Sequence, residues 1–225
     1  MASYIFTLGF HEDFILRRLV SEKAQHGSRV VIFTVKPITG ATKTAYQNLV
    51  TYCTRMGLSS PELVELSIGE AEDIILSALD TIQTLEEPII ADLTGGMRIL
   101  VIAVYTALIA SKKRFRAYIA TEGEQKAEIK IESTHIGAIT KELPEEKKKI
   151  LETIVINPGI TPAQLAKNLG KSEKTIANHI TELKKLNLVI TRGKTNNIYP
   201  TKLGIIISKT TKTKTEIIPE STGKE

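Results

Sequence analysis

The sequence predicts an α/β fold: a mostly parallel six-stranded sheet with an antiparallel edge hairpin, followed by a second, smaller domain. Three observations carry that expectation. Through residue 121, short runs rich in β-branched and aromatic residues alternate with segments of helical spacing. The last two such runs lie too close together for a crossover. Beyond about residue 140 both the periodicity and the charge change.

The β-rich runs are SYIFTLGF, RVVIFTV, ELVELSI, PIIADL and FRAYIAT. Between the first four, apolar residues fall at helical spacing, as in Phe14, Ile15, Leu19 and Val20, or Ile74, Ile75, Leu79 and Ile82. Strands alternating with helices make βαβ units and a parallel sheet covered on both faces, a Rossmann-like architecture. A sixth run, AEIKIES, follows FRAYIAT after only a short loop. A parallel crossover needs a dozen or more residues, so these two strands form an antiparallel hairpin at the sheet edge. The expected layout is a first domain over 1–134, a linker over 135–143, a second domain over 144–208 and a flexible tail over 209–225.

Composition narrows the class. A chain of 225 residues with 42% hydrophobic content can build two modest cores. The single cysteine, Cys53, excludes an intramolecular disulfide and a Cys-based zinc site, and suits a reducing compartment. The histidines lack carboxylate or cysteine partners at ligand spacing, so no metal site is expected. The N-terminus turns polar too soon for a signal peptide, and the stretch from Ile99 to Ala110 is too short to span a bilayer. The expectation is a cytoplasmic protein with no membrane partner. Residues 1–140 hold 14 Lys/Arg and 16 Asp/Glu, net −2, whereas residues 141–225 hold 16 and 9, net +7. A basic excess confined to one end points first to nucleic acid.

That basic end reads helix by helix. Pro144 opens a helix to Ile156, with Ile150, Leu151, Ile154 and Val155 as its apolar stripe. After the NPGI turn, Thr161 caps TPAQLAKNLG with Pro162 at its first position, and Gly170 ends it. Ser172 caps the third helix, in which Ile176, Ile180, Leu183 and Leu186 share one face. The other face carries Lys174, Thr175, Asn178, His179 and Lys185. LVITRGKTNNIYP then forms two strands joined by a tip bearing Arg192, Lys194, Asn196 and Asn197. This order resembles the winged helix-turn-helix domains of archaeal and bacterial transcription regulators. The resemblance implies a third helix in the major groove of double-stranded DNA, with the wing on phosphate or in the minor groove. Asn178 and His179 suit base edges, and Lys174, Lys184 and Lys194 suit phosphates.

In the N-terminal domain, DLTGGMR stands at the end of the fourth strand. A sheet of order 3-2-1-4 places that loop beside the one after the first strand, at the crevice where such sheets bind ligands. Gly95 and Gly96 allow close backbone approach, the helix starting near Met97 offers a positive dipole end, Thr94 adds a hydroxyl and Arg98 a charge. A plain βα turn with a solvated Arg98 is the simpler alternative. Dinucleotide and P-loop signatures are missing: Gly9 stands alone after the first strand, and TGGMR lacks G-K-[ST].

A short glycine motif after the first strand, G-G-x-R after the fourth and a C-terminal winged helix together resemble archaeal CRISPR-associated transcription regulators. Those proteins join a CARF domain (CRISPR-associated Rossmann fold) to a MarR-like DNA-binding domain. The resemblance implies antiviral defence, a homodimer, and a cyclic oligoadenylate effector, commonly cyclic tetra-adenylate, bound across the two-fold axis with no other cofactor. Its binding residues would be Leu8, Gly9, Phe10 and His11, with Thr94, Gly95, Gly96, Met97 and Arg98. A two-fold pair matches the symmetry of a ring of four identical nucleotides. The alternative is a ring nuclease, in which His11, Thr94 and Arg98 assist attack by a ribose 2′-hydroxyl. No general base stands out for that chemistry, so no catalytic residue is assigned.

Overall fold

The computed structural model of the protein describes residues 1–121, 127–193 and 195–212. They form two compact units, Met1–Ser133 and Thr134–Glu225. The first contains strand β1 (Ser3–Thr7), helix α1 (Asp13–Ser21), β2 (Val30–Lys36), α2 (Gly40–Arg55) and β3 (Glu62–Ser67). It continues with α3 (Ala71–Gln83), β4 (Ile89–Asp92), α4 (Arg98–Ala110), β5 (Phe115–Ala120) and β6 (Glu128–Glu132).

The sheet order is β3-β2-β1-β4-β5-β6. All pairs are parallel except β5 with β6, the expected edge hairpin. The central strands are apolar throughout because both sheet faces are covered. Every residue of β1 and β4 is buried, as are the first five of β2. Tyr4, Phe6, Val30 and Ile32 pack against Ile15 and Leu19 of α1 and Ala45, Leu49 and Cys53 of α2. The alternate residues Ile5, Val31 and Phe33 are buried on the opposite face, where α4 packs on α3 and on the central strands. Full burial of each large side chain, such as Phe6 or Phe33, contributes about 1.5–3 kcal/mol. Helices α1 and α4 therefore leave β1 and β4 on opposite faces, which opens a crevice at the carboxyl ends of these two strands.

The second unit comprises α5 (Ser133–Thr140, starting at the boundary), α6 (Glu145–Ile156), α7 (Pro162–Leu169) and α8 (Glu173–Lys185). The hairpin strands β7 (Val189–Arg192) and β8 (Asn197–Pro200) and helix α9 (Lys202–Lys212) follow. Thr161 and Gln164 make a capping box on α7, and Gly170 ends it at φ 62°. Ser172 caps α8 by accepting from Thr175 N. Pro144 stands just outside α6, at its N-cap. Ile150, Leu151, Ile154, Leu165, Ile176 and Leu183 form the centre of the core.

Two segments depart from expectation. The stretch read as a linker is helical as α5, because Ala138, with Leu143 after it, buries in the core of this unit. The presumed flexible tail is helical to Lys212, with 213–225 outside the described residues. Helix α9 packs on α6 and buries Ile207, and Thr201 Oγ1 accepts from Gly204 N at its start. Gly204 explains why this helix is hard to see in the sequence. A Cβ there would overlap the Leu188 carbonyl, so packing demands the residue that helix propensity disfavours.

Candidate functional sites

Strand β1 delivers the loop Leu8–His11 and β4 the loop Leu93–Met97, and the two are packed backbone to backbone. A Cβ on Gly9 would lie 3.0 Å from Gly96 N, and one on Gly95 would lie 2.9 Å from the Thr7 carbonyl oxygen. Gly96 has φ +87°, left-handed backbone that side chains resist. The Thr7 hydroxyl donates to the Gly95 carbonyl at 2.6 Å. The glycines are thus required by loop-on-loop packing, whatever else approaches them.

The loops open onto a cleft of about 760 Å³. Leu8, Gly9, Phe10 and His11 line it from the first loop, and Gly95, Gly96 and Met97 from the second. Phe10 and Met97 are 62% and 52% exposed, an aromatic ring and a thioether held in solvent. Helix α4 has no side-chain cap at Met97, so its first N–H groups remain available to solvent or an anion.

Two expected residues are placed elsewhere. Thr94 does not line the cleft. Its hydroxyl donates to Asp92 Oδ1 (2.6 Å) and accepts from Ala120 N (2.9 Å), tying its loop to β5. Arg98, the first residue of α4, is exposed and outside the lining. The lining cation is Arg17 of α1, its guanidinium 5.1 Å from the centroid of the Phe14 ring. Asp13 and Phe14 accompany it, and the far wall comes from Thr34, Pro37, Thr39 and Thr42 at the end of β2 and the start of α2. Sequence reasoning missed these although strand order held the signal: β2 flanks β1, so its carboxyl end borders the same crevice.

Beneath the loops lies a buried ion pair. Arg18, 8% exposed, donates from Nε to Asp92 Oδ2 at 2.9 Å and from Nη2 to Glu128 Oε2. Its guanidinium lies 3.6 Å from the Tyr118 ring centroid. Burial opposes its charge, but hydrogen bonds to Glu128 and Asp92 outweigh that cost and raise its pKa above the ordinary arginine value.

In the second unit, α8 keeps Lys174, Asn178, Lys184 and Lys185 exposed. Lys184 Nζ donates to Thr191 Oγ1 (3.0 Å), joining α8 to β7. Ser172 and Thr175 hold each other at the helix start, their hydroxyl oxygens 2.8 Å apart. His179 does not stand with Asn178. Its side chain is 17% exposed and turned toward α6, with Nε2 3.4 Å from a Glu146 oxygen and Nδ1 3.9 Å from one of Glu182. That placement points its ring at carboxylates of its own domain, not outward with Asn178. On the wing, Arg192 and Asn196 are exposed, Arg192 lying 5.5 Å from the Tyr199 ring centroid. Asn197 accepts from the Thr195 hydroxyl (2.6 Å), and Lys194 lies outside the described residues. Among the described residues no His, Cys, Asp and Glu cluster could hold a metal, and no helix is long and apolar enough to cross a membrane.

Residues 2–132 match the Csa3 CRISPR-associated Rossmann-like domain, and residues 147–190 match a winged helix-turn-helix DNA-binding domain. The CRISPR locus-related protein Csa3 of Saccharolobus solfataricus is 34% identical over 232 residues, covering 100% of this chain and 98% of its own. Can2 from Sulfobacillus thermosulfidooxidans, solved with cyclic tetra-adenylate, is 11% identical with a TM-score of 0.40, over 92% of this chain and 61% of that one. The MarR repressor of Listeria monocytogenes is 23% identical with a TM-score of 0.32, over 36% of this chain and 57% of that one. Both structural likenesses are too distant to transfer anything further. A CRISPR-associated Rossmann-like domain followed by a winged-helix DNA-binding domain, in a sequence alignable end to end with Csa3, makes this chain a DNA-binding protein of regulator type and a member of the Csa3 family.

Proposed function

We propose that the chain regulates CRISPR-associated genes in response to a cyclic oligoadenylate, cyclic tetra-adenylate being the expected ring, held across a homodimer of N-terminal units. The cleft built by the two glycine loops carries this reading. It offers backbone N–H groups at the start of α4 and the Arg17 guanidinium for phosphates, and the exposed Phe10 and Met97 as surfaces on which bases can stack.

The dimer rests on α4. Its buried side carries Leu100, Val104 and Leu108, yet Ile99 and Ile102 on the outer side are exposed, Ile102 by 65%. An apolar outer stripe on a surface helix fits an isologous contact. Because α4 starts at the cleft, a two-fold pair would bring two copies of its N-terminus and of Arg98 to one symmetric ligand.

Calorimetry of the full chain with cyclic tetra-adenylate tests the ligand, and absence of heat ends the reading. Titrating operator DNA with and without the ligand then measures the response. For the dimer, Ile102→Asp should give a monomer by light scattering at micromolar concentration, where the wild type is a dimer. A monomeric wild type removes the shared site.

A further inference from the structure

The two cleft loops leave different strands, yet a side chain of the helix after the first loop is hydrogen-bonded to the strand that carries the second. Arg18 belongs to α1, the helix that follows the first loop. Asp92 is the last residue of β4, immediately before the second. Asp92 Oδ2 accepts from Arg18 Nε, while Oδ1 accepts from both Thr94 N (3.1 Å) and Thr94 Oγ1 (2.6 Å). Thr94 Oγ1 in turn accepts from Ala120 N, and Ala120 pairs with Glu128 across the β5–β6 ladder. Glu128 accepts from the other arm of Arg18. The interactions close into a ring.

We propose that Arg18 is a positioning residue for the ligand cleft: through Asp92 and Thr94 it fixes where Gly95 and Gly96 stand against Gly9. The physical need is clear. Two successive glycines have the largest backbone freedom of any pair, so a loop containing them holds one shape only if neighbouring groups impose it. Thr7 fixes the Gly95 carbonyl, and α4 takes over at Arg98. The Asp92–Thr94 bonds fix the remaining end, and Asp92, only 4% exposed, is itself held by the hydrogen bond from Arg18 Nε. Lysine cannot replace this arrangement. Only a planar fork reaches Asp92 and Glu128 together while stacking on Tyr118.

The choice of ligand below rests on the proposed function; the positioning itself does not. The test uses full-length protein with Arg18→Lys, which keeps the charge but loses the fork, and Thr94→Val, which keeps the shape but loses the hydroxyl. Amide exchange is followed without ligand in segment 93–98, with segment 30–36 as the internal reference, and calorimetry gives cyclic tetra-adenylate affinity. Both variants should exchange about tenfold faster in 93–98 while 30–36 stays unchanged. Both should bind the ligand at least about tenfold more weakly. A merely structural role would instead speed both segments together. That result, or unchanged exchange in 93–98, overturns the proposal. Should Arg18→Lys not fold, Thr94→Val decides in the same way. If the wild type takes up no cyclic tetra-adenylate, the ligand reading fails by itself and the exchange result alone decides the positioning.

Discussion

The cleft of the N-terminal unit joins residues far apart in sequence, as in the Thr7–Gly95 hydrogen bond across 88 positions, whereas the expected DNA-binding face comes from the thirteen-residue α8 and the hairpin after it. The two also use their polar side chains differently. Around the cleft, Asp92 and Thr94 satisfy each other and Thr7 satisfies the Gly95 carbonyl, leaving main-chain N–H groups, Arg17, Phe10 and Met97 to face outward. On α8, Lys174 and Asn178 stand in solvent. A rigid, backbone-lined site suits an anion of fixed shape, while projecting side chains suit the grooves of DNA.

Mutations at matched positions can break or sharpen this contrast. The largest effect is expected at the cleft cations. If a dimer brings Arg98 to the ligand twice, Arg98→Ala should lower cyclic tetra-adenylate affinity by roughly two to four decades, at about 1.5–3 kcal/mol per contact. If Arg17 alone carries the phosphates, Arg17→Ala takes over that loss and Arg98→Ala is silent; calorimetry on both separates the cases. Neither change should alter DNA binding without ligand.

The glycines come next. Gly95→Ala should destabilise the N-terminal unit by about 2–3 kcal/mol, because its Cβ meets the backbone oxygen of Thr7. Gly170→Ala, left-handed but with nothing within 4 Å of a Cβ, should cost the second unit only about 1 kcal/mol. Equal melting shifts would mean that loop-on-loop packing is not what the cleft glycines serve.

On the DNA side, Asn178→Ala should cost about 1–3 kcal/mol on the preferred operator and little on random DNA. His179→Ala should change sequence preference far less, and a selective loss there would restore it as a base reader. The smallest effect is expected on the wing. Arg192→Ala should weaken binding to all sequences alike and flatten the salt dependence by roughly one unit of slope.

The sheet was legible because βαβ spacing and the short β5–β6 connection leave few topologies open. Helices α7 and α8 of the second unit were legible because their caps lie within four residues of what they cap: Thr161 with Gln164, Gly170, Ser172 with Thr175. Legibility fell where a short segment depends on a distant surface. Helix α5 owes its place to the core that receives Ala138, and α9 to the groove that admits Gly204 but no Cβ.

The sequence by itself determined the order of strands and helices in the N-terminal unit, the two cleft loops, the basic face of α8 and the family resemblance. These follow from period, capping and spacing, which act over a few residues at a time. Tertiary structure decided which side chains of those loops and helices face outward. Thr94 turned in because Asp92 and Ala120 were there to satisfy its hydroxyl, and His179 turned in beside Glu146. Arg17 reached the cleft while Arg98 stayed outside it. The Thr94 hydroxyl settles where its hydrogen bonds are best met, whereas partial burial of His179 leaves its Nδ1 without a hydrogen bond. Several of those partners, such as Ala120 for Thr94 and Glu146 for His179, come from elements far along the chain, where no local pattern records them.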